Sequence, residues 1–232
     1  MNLAALYDTY WEKYGDSFDP QRLAMLARYV QPGDTVLQVD CGPGVLAQML
    51  TEKGARVVAT ELSSGGTRRA RARGVVIARV DMDNGDLPFP SSSFAVVVCD
   101  SRMEHGIDFG HYLDECVRVL KPGGRFIISV PNTAHWRCRW WLLTGRFPYR
   151  VGTPTDWTHL RFFTLPDMRA LWAQRGVELI HVGGTASLWV EALYPAWLRR
   201  GRAAGLYLRL TRAWPSLFAR DLVLVGRKRQ IT

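Results

Sequence analysis

Cysteine is scarce in this 232-residue chain. The four present (Cys41, Cys99, Cys116 and Cys138) stand singly, with no C-x-x-C pair. That excludes a disulfide-stapled framework and reads as a reduced protein. No stretch approaches the roughly 20 uninterrupted apolar residues of a spanning helix, so an integral membrane protein is not expected. The first 20 residues carry Asp8, Glu12, Asp16 and Asp19 rather than a basic start and an apolar block. No secretory leader is read there, and a cytoplasmic location is expected. The five histidines show no metal-ligand spacing, so no metal is expected. Low-complexity linkers and internal repeats are absent, which favours one domain over two.

Apolar residues make up 47% of the chain, enough for a well-buried core. The net charge of +9 is unevenly placed: residues 1–195 carry +1, and residues 196–232 carry +8. Only four residues are lysine, so the excess is arginine. Arg199, Arg200, Arg202, Arg209 and Arg212 interleave with Trp197, Leu198, Leu206, Leu208, Leu210 and Trp214. Segment 197–214 therefore reads as an amphipathic helix, suited either to peripheral contact with anionic lipid or to a solvated arginine face. No recognition motif accompanies the charge, which argues against nucleic acid.

Tyr7, Tyr10, Trp11 and Tyr14 recur at helical spacing, predicting an N-terminal helix with a ring stripe for core or lid packing. Asp19-Pro20 predicts a capped second helix ending before Gln31-Pro32-Gly33, so residues 1–31 form a helical lid. Strands are expected at Thr35 to Val39, Arg56 to Thr60, Val75 to Arg79, Phe94 to Cys99, Arg125 to Val130 and Val177 to Val182. A seventh is expected at Leu217 to Val225. Helices are expected at Val45 to Lys53, Gly65 to Ala72, Phe109 to Leu120 and Pro166 to Gln174. Continuous apolar strands alternating with helices predict an α/β fold: a doubly wound, Rossmann-like, seven-stranded and mostly parallel sheet with helices on both faces. Segments 131–164 and 184–216 read as insertions, the second of them basic.

Val36 to Gly44 runs a strand into a glycine turn and then a helix, so the backbone at Gly42 and Gly44 can approach a polar ligand. Glu61 follows Gly42 by 19 residues, where a carboxylate at a strand end accepts ribose hydroxyls. Gly42-x-Gly44-x-x-Ala47 alone fits a nicotinamide dinucleotide fingerprint equally well, which leaves an oxidoreductase open. Asp81-Met82 follows the third strand, placed for an adenine amino group and ring.

Asp86-Leu87-Pro88-Phe89-Pro90-Ser91-Ser92-Ser93-Phe94, together with that turn and Leu120-Lys121-Pro122-Gly123-Gly124, resembles class I S-adenosylmethionine-dependent methyltransferases of the small-molecule type. Val130 to Arg137, Leu143 to Tyr149, Asp156 to Thr164 and Trp214 to Ala219 resemble bacterial members that accompany glycosyltransferases, and part of this block is similar to the MetW family. The resemblance implies S-adenosylmethionine as cofactor, held by Asp40, Gly42, Gly44, Glu61, Leu62, Asp81, Met82 and Asp100. It also implies a small-molecule acceptor, such as an oxygen of a sugar or another biosynthetic intermediate. Two positions depart from the pattern, since Gln38 stands where an acidic residue is usual and Asp40 where the first turn glycine is. The Asp40 carboxylate is then expected to meet the ammonium of the cofactor. The MetW likeness also admits a non-catalytic partner of a biosynthetic enzyme.

A methyl on a sulfonium is already activated, so the protein's share is positioning and, where needed, proton removal. His105, beyond the fourth strand, is the candidate base, with capping of its loop as the competing role. His135 and Trp136 are candidates for contact with a sugar ring, and His159 and Arg161 for contact with the acceptor. For His135 a place in a packed helix, and for His159 the anchoring of an insertion, explain the sequence as well.

Overall fold

The computed structural model describes residues 3–15 and 18–230. Helices α1 (Leu3–Tyr14) and α2 (Pro20–Ala27) precede an alternating run: β1 (Thr35–Val39), α3 (Val45–Glu52), β2 (Arg56–Glu61), α4 (Ser64–Ala72), β3 (Val76–Arg79) and β4 (Phe94–Asp100). A 3₁₀ turn (Met103–His105) leads to α5 (Phe109–Val119), β5 (Leu120–Pro131), α6 (Trp136–Leu143), α7 (Leu165–Gln174) and β6 (Val177–Thr185). A second 3₁₀ turn (Ala196–Leu198), α8 (Gly201–Ala213), the one-turn α9 (Pro215–Phe218) and β7 (Asp221–Lys228) follow.

The seven strands among the described residues form one sheet, in the order β3-β2-β1-β4-β5-β7-β6. The first five pair in parallel, and β7 runs antiparallel to both of its neighbours. Alternation along each strand feeds two cores. Leu37, Val39, Val97, Cys99, Phe126 and Ile128 pack with α5 and α7 on one face. Val36, Val57, Ala59, Val96, Val98, Ile127 and Val223 pack with α2, α3 and Ala70 of α4 on the other. A satellite cluster of Cys138, Trp141, Leu193, Tyr194, Leu198 and Tyr207 joins the two inserted segments. All four cysteines are free thiols and buried. No helix among the described residues is long and apolar enough to cross a membrane.

Three expectations are corrected. The last strand begins at Asp221 rather than Leu217, because Pro215 opens a helical turn that takes up Leu217 and Phe218. The fifth strand starts at Leu120, so the glycine pair lies inside it, with a register irregularity opposite Phe94 and Val96. Helix α6, capped by His135, stands where the sequence admits a packed helix as one alternative without giving it bounds; its apolar residues lack the one-sided period that marks a surface helix. The Tyr14 side chain lies outside the described set.

β7 enters between β5 and β6 where space is tight. A Cβ on Gly226 would stand 2.5 Å from Val177 Cγ1 and 2.6 Å from the Trp172 ring. Trp172 is buried and stacked on Phe126 at 5.2 Å. Gly226→Ala is expected to destabilise the fold by about 1–3 kcal/mol through overpacking, read by urea unfolding. No change in the midpoint would contradict this packing.

The strand order reverses direction at β1 and β4, leaving a crevice beyond their carboxyl ends. Ligands of open α/β sheets lie in such crevices.

Candidate functional site

The turn after β1 holds Asp40 at φ +51°, Gly42 at φ +55° and Gly44 at φ +81°. Positive φ is costly for Asp40, and two contacts to Thr60 hold it there: Cys41 N–H donates to its carbonyl (2.8 Å) and Asp40 N–H to its hydroxyl (3.2 Å). Gly44 must be bare, because a Cβ would come within 2.8 Å of Ala70 in α4. Glu61, at the end of β2, is buried and accepts three hydrogen bonds. Gly42 N–H reaches Oε2 at 2.8 Å, while Ser63 N–H and hydroxyl reach Oε1 at 2.8 and 2.7 Å. One carboxylate thus ties the second strand to the glycine turn.

Helix α1 lies over that turn. A Cβ on Gly42 would meet the Trp11 ring at 2.5 Å, and Asp8 accepts the Gly65 N–H at 2.6 Å at the start of α4. Arg102, just past β4, donates through Nε to Asp40 Oδ2 (3.0 Å) and through Nη1 to the Tyr7 hydroxyl (2.7 Å). Burial pushes Asp40 up to about 6 against the pull of Arg102, and burial raises Tyr7 to about 12. The cation that meets Asp40 here is therefore Arg102, a residue that sequence reasoning missed although it stands two places beyond the end of the strand next to β1. Gln38 is buried with its Oε1 unpartnered.

Leu62 and Met82 are buried beside this crevice, Met82 within the core. Asp81 caps its own turn, accepting from Asp83 N–H (3.1 Å) and the Asn84 amide (2.9 Å). Asp83 is the second missed residue: Oδ1 accepts the Ile107 N–H at 2.7 Å and Oδ2 is buried without a partner. Asp100 accepts from Arg22 at 2.7 and 3.3 Å and from the Ser129 hydroxyl at 2.6 Å. Arg22 also reaches Asp221 at 3.3 Å, and Arg220 reaches it at 2.6 Å. Asp100 is thus committed to an ion network under the crevice rather than free for a ligand.

His105, the candidate base, is largely withdrawn from water. Burial, with His159 and Arg102 nearby, pushes it down to about 3. Its Nδ1 is 3.0 Å from the Thr158 carbonyl, so it anchors the segment that carries His159. His159 is likewise lowered by burial and bonded through Nδ1 to the Pro154 carbonyl at 3.1 Å. Glu104, beside His105 and sharing its catalytic-or-structural ambiguity in the sequence, is fully buried and pushed by desolvation up to about 8. His135 is corrected outright: it is buried, held near pKa 3 by desolvation, and bonded to the Tyr207 and Tyr194 hydroxyls at 2.9 and 3.3 Å. Trp136 donates to the same Tyr207 hydroxyl at 2.8 Å. The pair packs the inserted segments together, with His135 buried and Trp136 half-buried. Arg161 spans to the Ile107 carbonyl at 2.6 Å and lies over Phe109.

The model of the family described as methionine biosynthesis protein MetW matches residues 21–191. A probable S-adenosylmethionine-dependent methyltransferase of Mycolicibacterium smegmatis is 37% identical over 103 residues, spanning 43% of this chain and 39% of that protein. The ubiquinone biosynthesis O-methyltransferase of Xanthomonas axonopodis pv. citri is 28% identical over 211 residues, 86% of this chain and 85% of its own. Among solved structures, an S-adenosylmethionine-dependent methyltransferase from Mesorhizobium loti superposes with a TM-score of 0.62 at 20% identity, covering 89% of this chain and 96% of that one. One from Archaeoglobus fulgidus reaches 0.67 at 16% identity over 96% and 99%.

Proposed function

The chain belongs to the MetW family, whose model spans most of its length, and on that premise we propose that it is a class I S-adenosylmethionine-dependent methyltransferase acting on a small-molecule acceptor. The observation that carries the reading is the bare turn at Gly42 with the buried Glu61 carboxylate on its amide. The donor set fits the cofactor, because only glycine leaves the cradle that Trp11 now covers, and an acidic strand end lies beside it. When bound, the cofactor supplies an electrophilic methyl on sulfur.

Glu61 would accept the ribose hydroxyls, Gly42 and Gly44 would admit the methionine portion, and Leu62 and Met82 would wall the adenine. Asp81, with Asp83 and its unpartnered oxygen, would take the adenine amino group. Asp40 would exchange Arg102 for the ligand's ammonium. His105, held by its Nδ1 on the Thr158 carbonyl, would orient its loop. The acceptor atom is read as an oxygen of a biosynthetic intermediate, sugars included, in keeping with relatives named as O-methyltransferases. Exposed Trp197, Leu206 and Trp214 beside Arg200, Arg202 and Arg209 make segment 197–214 the side that would face anionic lipid.

Calorimetric titration of the full chain with S-adenosylhomocysteine is expected to give saturable heat at one equivalent. Absence of heat at millimolar ligand, with folded protein, overturns the reading. It would favour a non-catalytic partner instead, for which the packing of Trp11 on Gly42 and the pairing of Arg102 with Asp40 already speak. Co-purification with a biosynthetic acyltransferase would then be expected.

A further inference from the structure

Beside the glycine turn the fold gathers a second constellation. Glu104 and His105 come from the 3₁₀ turn after β4 and His159 from the segment after α6, yet one ligand atom of each lies within 4.8 Å of the others. The same device fixes both imidazoles: Nδ1 of His105 and Nδ1 of His159 each face a backbone carbonyl, of Thr158 and Pro154. A carbonyl can only accept, so both Nδ1 atoms carry the proton and both Nε2 atoms keep a free lone pair. The two rings meet edge to face at 5.1 Å. Glu104, 1% exposed, brings Oε1 to 4.0 Å from His105 Nε2, while its Oε2 has no hydrogen bond. Buried carboxylate oxygens without partners are rare, and a bound cation is one of the few things that satisfies them.

The backbone pre-sets this arrangement. Leu160 and Arg161 N–H groups both donate to the Glu104 carbonyl, at 2.7 and 3.0 Å, fastening the residues after His159 onto the residue before His105. Two imidazoles oriented by second hydrogen bonds and one carboxylate make a donor set for first-row divalent ions, and a poor one for Mg²⁺. We propose that Glu104, His105 and His159 bind one such cation, of the Zn²⁺, Co²⁺ or Fe²⁺ kind, with its remaining positions open. Neighbouring ligand atoms around a metal lie about 3.0–3.4 Å apart, so the 4.0 Å gap closes by a small side-chain movement.

The full chain, stripped with chelator and exchanged into chelator-free buffer, is titrated with Co²⁺. Visible d–d absorption saturating at one equivalent, and bleached by Zn²⁺, is expected. Glu104→Gln, a neutral isostere, and His159→Gln are expected to weaken binding at least ~100-fold while unfolding at temperatures near that of the parent chain. No saturable absorption with folded protein, or undiminished binding in both variants, overturns the site. Titrating the same sample with S-adenosylhomocysteine reads the glycine turn separately, so failure there leaves the cation result standing.

Discussion

Arg22→Met is expected to destabilise the protein by about 3–5 kcal/mol, the cost of leaving a buried ion pair with one partner removed. Arg22 lies on α2, and its guanidinium grips Asp100 at the end of β4 with two bonds and Asp221 at the start of β7 with a third. Both carboxylates are almost wholly withdrawn from water. Without the guanidinium, Asp100 keeps the Ser129 hydroxyl and Asp221 keeps Arg220. Neither replaces a two-pronged cation. Arg22→Lys should recover only part of the loss, since a single ammonium cannot span both acids in that geometry. Denaturant unfolding checks both variants, and a loss below about 1 kcal/mol for Arg22→Met would show that the network is not a source of stability.

Glu61→Ala is expected to weaken S-adenosylhomocysteine binding by about 1–3 kcal/mol, since hydrogen bonds to a charged acceptor are lost. The same change strands the Gly42 and Ser63 N–H groups and should lower stability by a similar amount. Glu61→Gln separates the two effects. Its amide oxygen can still accept from Ser63, but its NH₂ faces the Gly42 N–H donor to donor. The turn would loosen while the end of β2 held. Calorimetry alongside thermal unfolding reads both quantities. Unchanged affinity in Glu61→Ala, with folded protein, would remove Glu61 from the binding site.

What the sequence made legible is local. The run from Val36 to Gly44, the Glu61 strand end and the Asp19-Pro20 cap follow from a few residues in succession, and all stand where the pattern placed them. What it hid is pairing at a distance. Arg102 meets Asp40 across 62 residues, and Arg22 meets Asp221 across 199. Nothing in either neighbourhood marks one arginine among many as buried. His105 and His159 show no ligand spacing because the chain between them passes through α5, β5 and α6 before returning. His135 misled for a related reason: beside Trp136 and Arg137 it looks like a recognition surface, and only the arrival of Tyr194 and Tyr207 buries it. An apolar run such as Leu222 to Val225 signals a strand but carries no direction, so the antiparallel course of β7 was not available in advance.

That course has a consequence for how the molecule is made. Among the described residues β6 hydrogen-bonds to no strand but β7, and 35 residues lie between the end of β6 and the start of β7. Until Asp221–Lys228 leaves the ribosome, one margin of β5 stays open and β6 has nowhere to dock. The nascent protein must therefore keep an incomplete, adhesive sheet edge out of trouble while α8 and α9 emerge, and the sheet locks only when β7 slides into the gap.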